Sequence, residues 1–147
     1  MTLLYADPSA IVRAYFADEP EHRELRGMLL EGEEPVVSSE LARIELASAV
    51  RAATRSGRLR RWRALLARID ADCGDDGPLT LLALRPRVVF EPTYRLVLEH
   101  RLRTLDALHL AVALHECPAL AGDDEIVFVS RDEQQRDAAV ALGLALR

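Results

Sequence analysis

Four carboxylates fall where a short apolar run gives way to a helix, or within a helix's opening turns. Asp7 follows the run Leu3-Leu4-Tyr5-Ala6, and Glu45 lies in the second turn of the helix after Pro35-Val36-Val37-Ser38. Asp106 is in the first turn of a helix opened by Thr104, and Asp132 stands two residues past Ser130, where the run Ile126-Val127-Phe128-Val129 ends. In open parallel sheets, ligands bind beyond the carboxyl ends of the strands, so these acids can meet at one edge. Unscreened carboxylates brought together repel, and at least one is pushed towards its neutral form. A hard divalent cation such as magnesium or manganese relieves this, since it prefers carboxylate and water oxygens. Metal-activated water attacking a phosphodiester is the chemistry that follows.

Each acid also has a plainer explanation. Asp7 before Pro8 has the form of a helix N-cap with proline in the first helical position. Ser130 and Glu133 have capping-box spacing, which would leave Asp132 merely favouring the helix dipole. Glu45 has Leu41, Ala42, Ser48 and Ala49 one turn away, which offer no exposed ion-pair partner. Asp106 opens a helix with few other polar positions. His109 lies one turn later and reads as a hydrogen-bonded structural histidine, and His115 falls on a different face, which disfavours a histidine zinc pair.

Short strands must carry these residues. Leu3–Ala6, Pro35–Ser38, Arg87–Phe90 and Ile126–Val129 read as strands, with Leu144–Leu146 as a further edge strand. Helices are expected after Asp7, around Glu21–Leu30, from a Ser39 cap towards Gly57, over Leu59–Asp72, from Pro92 to near His100, from Thr104, and from Asp132 to Leu142. The Thr104 helix is apolar almost all round, so it is packed on both sides. Strands alternating with helices predict an α/β/α three-layer domain with a mostly parallel central sheet of four to five short strands. No repeat, linker or low-complexity tract interrupts residues 1–147, so a single domain is expected.

Half of the 147 residues are hydrophobic and 29% are charged, which supports a core and argues against disorder. No apolar run approaches the ~20 residues that span a bilayer, and no basic-then-apolar leader is visible, so a cytoplasmic protein is expected. Cys73 and Cys117 are too few for a disulfide framework. The net charge of −5 argues against a uniformly basic nucleic-acid coat, while permitting a local patch. All 19 basic residues are arginine.

The segments Leu4-Tyr5-Ala6-Asp7-Pro8-Ser9-Ala10, Ser38-Ser39-Glu40-Leu41-Ala42-Arg43-Ile44-Glu45, Leu102-Arg103-Thr104-Leu105-Asp106-Ala107-Leu108-His109-Leu110-Ala111 and Phe128-Val129-Ser130-Arg131-Asp132 resemble, in order and spacing, the PIN-domain ribonucleases. Among these the chain most resembles the VapC toxins of bacterial toxin–antitoxin pairs. The resemblance implies a PIN-like fold and a Mg2+- or Mn2+-dependent endoribonuclease, with Asp7, Glu45, Asp106 and Asp132 as the catalytic, metal-binding acids and Ser130 as the supporting hydroxyl. It also implies an RNA substrate, a small cognate antitoxin and a homodimer.

Arg51, Arg55, Arg58, Arg60, Arg61 and Arg63 form a basic stretch in which Arg58, Arg60 and Arg61 are candidate RNA contacts, a solvated or dimer-facing surface being the alternative. Trp62, inside the stretch, reads as a packing residue rather than a base-stacking platform. Two other functions compete with this one. A catalytically silent PIN-type binding module is disfavoured by four intact acids. An α/β phosphatase-like phosphotransfer domain needs a second aspartate two residues after Asp7, where Ser9 stands, and a lysine, of which there is none.

Overall fold

The computed structural model describes residues 1–147. Five parallel strands, β1 (Thr2–Ala6), β2 (Val36–Ser39), β3 (Leu79–Leu82), β4 (Glu125–Val129) and β5 (Ala145–Leu146), lie in the order β3-β2-β1-β4-β5. Between β1 and β2 come α1 (Pro8–Tyr15) and α2 (His22–Leu29), and between β2 and β3 come α3 (Leu41–Arg55) and α4 (Trp62–Asp72). Helices α5 (Pro86–His100), α6 (Thr104–His115) and α7 (Cys117–Ala121) join β3 to β4, and α8 (Glu133–Ala141) joins β4 to β5.

Alternation along β1 divides the core. Leu4 and Ala6 pack with apolar residues of α1 to α4, while Leu3 and Tyr5 pack with those of α5 to α8. The strands β1, β2 and most of β4 are buried from both sides and are correspondingly apolar, while β3 and β5 form the partly exposed edges. The chain steps from β1 outward through β2 to β3, then crosses to β4 on the other side of β1. The order therefore reverses between β1 and β4, and a crevice opens at their carboxyl ends. No helix is long and apolar enough to cross a membrane.

Several sequence expectations are corrected. Arg87–Phe90 is not a strand but the start of α5, whose Val89, Thr93 and Leu96 are buried at helical spacing. Pro92 lies inside that helix instead of opening a shorter one. The third strand is Leu79–Leu82, paired with β2 from Val36↔Leu79 to Ser39↔Leu82. Helix α4 begins at Trp62 rather than Leu59. Glu40 holds the N-cap position of α3, without a side-chain cap, although the Ser39 hydroxyl accepts from the Leu41 amide at 3.3 Å.

Candidate active site

Asp7 is buried at the end of β1 and is both a cap and a site residue. Its Oδ2 accepts from the Ser9 amide at 2.9 Å, which caps α1. Its Oδ1 accepts from Gln135 Nε2 at 2.9 Å. The same Gln135 nitrogen donates to the backbone carbonyl of Asp106 at 3.0 Å, joining the starts of α1 and α6. Gln135 Oε1 accepts from the buried Ser130 hydroxyl at 2.5 Å. Ser130 thus reaches Asp7 through Gln135, and its hydroxyl oxygen also accepts from the Asp132 amide at 3.1 Å.

Asp132 is the N-cap of α8, with Oδ1 accepting from the Gln135 amide at 2.8 Å. The capping pair is therefore Asp132 with Gln135, two residues later than the Ser130–Glu133 frame expected from sequence. Asp106, in the first turn of α6, accepts from Arg103 Nε at 3.2 Å, and Arg103 Nη2 stands 4.0 Å from Asp132 Oδ2. Burial raises the pKa of Asp106, the Arg103 hydrogen bond opposes this, and the charges of Asp132 and Asp7 raise it further, for a net upward shift. These three acids therefore share one electrostatic neighbourhood.

Glu45 approaches from another side. With Arg103, Thr104, Leu105 and Asp106 it lines a cavity of about 430 Å³. Its Oε2 lies 2.5 Å from His109 Nε2, and His109 Nδ1 lies 2.8 Å from the Tyr5 hydroxyl. The histidine is buried, with a hydrogen-bond partner at each ring nitrogen.

As placed, no three His, Cys, Asp or Glu side chains form one compact cluster for an ion. The donor chemistry nevertheless suits a hard divalent cation. Asp7, Asp106 and Asp132 offer carboxylate oxygens, and Asp106 is disfavoured as an anion by burial first and then by the charges of the other two. A cation among them would relieve that repulsion, with Glu45 across the cavity.

Residues 4–141 match the PIN domain family. The chain is 37% identical over 146 residues to Ribonuclease VapC46 of Mycobacterium tuberculosis (strain ATCC 25618 / H37Rv), covering 99% of this chain and 97% of that protein. The chain belongs to the PIN-domain family, in its VapC branch.

The arginine stretch of this PIN domain lies apart from the acids. Helix α1 has eight residues and carries the chain about 12 Å away from Asp7. At its far end Arg58 donates to Asp18 at 2.8 and 3.0 Å and to Glu19 at 3.0 Å. Arg51 and Arg63 stack on Trp62, 4.1 and 4.2 Å from its ring centre, so Trp62 packs as the sequence suggested. Arg60 and Arg61 are exposed.

Sequence reasoning missed Gln135 and Arg103, which contact the candidate acids, and Tyr5, which reaches Glu45 through His109. A signal existed for Gln135: it follows Asp132 by three residues, as a capping-box glutamine does, and Ala138 and Ala139 place it on the buried face. Tyr5 gave none, because an aromatic residue in a buried strand is ordinary core.

Proposed function

We propose that this chain is a metal-dependent endoribonuclease using Mg2+ or Mn2+, that it is the toxin of a toxin–antitoxin pair, and that residues 1–147 act as a single domain. The observation that carries this reading is the hydrogen-bond network of Gln135, which ties Asp7 at the end of β1 to the start of α6 beside Asp106 and to the Ser130–Asp132 turn after β4. The name of the VapC46 relative, a ribonuclease, supports RNA as substrate.

In this reading Asp7, Glu45, Asp106 and Asp132 hold the ion. When bound, a divalent ion supplies Lewis acidity towards a phosphate and a water of lowered pKa. Gln135 fixes the rotamer of Asp7, and Ser130 fixes Gln135, so the carboxylate is set before anything binds. Arg103 is exposed beside Asp106 and Asp132, where it is available to an RNA phosphate. Arg60 and Arg61, and Arg58 once released from Asp18 and Glu19, extend the reading to more distant phosphates. A small cognate antitoxin and a homodimer complete the proposed assembly.

The test is cleavage of RNA by the purified chain, with and without chelator, for wild type, Asp7→Asn and Asp106→Asn. Manganese-dependent cleavage in wild type and its loss in both variants, with circular dichroism unchanged, is the expected result. Wild-type rates in both variants would overturn the assignment. Co-expression with a small cognate antitoxin should relieve growth arrest and give a stable complex.

A further inference from the structure

The buried Tyr5–His109–Glu45 line has no role in the reading above beyond its last member. Residues 107–113 of α6 are all buried, and His109 is the one polar side chain among them. An imidazole in such a place is tolerated only when both ring nitrogens have partners. Nδ1 meets the Tyr5 hydroxyl and Nε2 meets Glu45 Oε2. A phenol, whose ordinary pKa is about 10, carries its proton at neutral pH. A protonated phenol donates to Nδ1, which leaves Nε2 to carry the hydrogen, and a carboxylate can only accept it.

We propose that His109 is a positioning residue for Glu45: Tyr5, fixed in the central strand, sets the imidazole tautomer, and Nε2–H clamps Glu45 Oε2 so that Oε1 is presented to the cavity between Glu45 and Asp106. The clamp bridges α3 to α6, which contribute their acids from opposite faces of the sheet. Glu45 is a long side chain with a quarter of its surface exposed, and it loses its freedom through this one bond. Partners of this kind, which orient a ligating carboxylate, change metal affinity by about 10–100-fold when removed. The inference rests on the reading of Glu45 as an ion-holding group.

Manganese binding to the full chain, measured by titration calorimetry without RNA, tests it independently of cleavage. A glutamine at 109 can place its amide nitrogen near the position of Nε2, whereas an asparagine places its amide near Nδ1 and does not reach Glu45. Glu45→Gln and His109→Asn should each weaken manganese binding about tenfold. His109→Gln should stay within a few-fold of wild type, and the Glu45→Gln/His109→Asn double variant should bind no worse than Glu45→Gln alone. Wild-type affinity in Glu45→Gln would remove the ion-holding reading, and the clamp with it. Weakened binding in Glu45→Gln but wild-type binding in His109→Asn would overturn the clamp alone. So would an additional loss in the double variant, or equal losses for the asparagine and glutamine substitutions. If melts in chelator show His109→Asn to be unfolded, Tyr5→Phe, which keeps the ring and removes the donor, takes its place: reduced affinity in the wild-type background only is expected, and unchanged affinity would overturn the clamp.

Discussion

Gln135 shows how a neutral side chain can organise charges it does not carry. Its amide nitrogen serves Asp7 and the Asp106 carbonyl, while its oxygen takes the Ser130 hydroxyl. Gln135→Leu keeps the volume but leaves buried polar atoms without partners, each worth about 1–3 kcal/mol. Urea denaturation should show a loss in that range or above, together with weaker manganese binding. Asp106 yields a prediction of opposite sign. Its pKa is raised in the fold, so the apo fold holds this proton more tightly than the unfolded chain does. The stabilisation is complete below the ordinary carboxylate range and is lost as pH rises through the raised value. In chelator, Asp106→Asn should therefore flatten the fall in melting temperature as pH climbs, and should melt above wild type at neutrality. It should also gain less from manganese, which at a hundred times its Kd would stabilise a competent site by about 2.7 kcal/mol. Identical metal-induced shifts in the two proteins would place Asp106 outside the metal site.

At the level of elements, the legible features were those whose local chemistry and tertiary setting agree. β1 and β4 are apolar runs in the sheet interior and were read correctly, as was the Asp7-Pro8 start of α1, where Asp7 is the cap. Arg87–Phe90 misled because Val88, Val89 and Phe90 have high strand propensity, whereas α5 packs on α6 through Val89, Thr93 and Leu96. Leu79–Leu82, with one β-branched residue, becomes a strand because β2 offers a free edge there. The Tyr5–His109–Glu45 line was illegible because its partners meet only after the sheet is assembled. Pro92 in the middle of α5 lacks the amide that would bond the carbonyl four residues earlier. An interior proline is less favourable than alanine by ~3 kcal/mol, so Pro92→Ala should raise the melting temperature. A lower value would mean that packing against α6 depends on the proline ring. In the α3–α4 connection, Arg60→Ala and Arg61→Ala in an Asp7→Asn background should each flatten the salt dependence of RNA binding by roughly 0.7 log units. Unchanged slopes would return this surface to solvent or to an interface.

For the molecule as a whole, the two thiols report on intactness. Cys117 is fully buried, and burial together with the charge of Glu116 pushes its pKa up to about 12. The folded chain thus retains this proton while the unfolded chain gives it up. The associated stability is present below the ordinary thiol range and disappears as pH rises towards 12. A thiolate-selective reagent at pH 8 should modify Cys117 only after global unfolding. Cys73, half-buried at the end of α4, should react slowly in the native protein. Rapid labelling of both thiols would mean that the α6–α7 layer opens without the rest.

The central position of β1 has a consequence in time. Its register sets Thr2 opposite Glu125 and Ala6 opposite Val129, so this pairing closes a loop of roughly 120 residues. On a ribosome adding about 5–20 residues per second, β1 and Asp7 emerge early and wait several seconds for β4, Asp132 and Gln135. Until those arrive, the crevice has only one wall. A nascent chain therefore holds an incomplete set of the candidate acids until β4 and α8 have emerged, and the site is assembled in one late step.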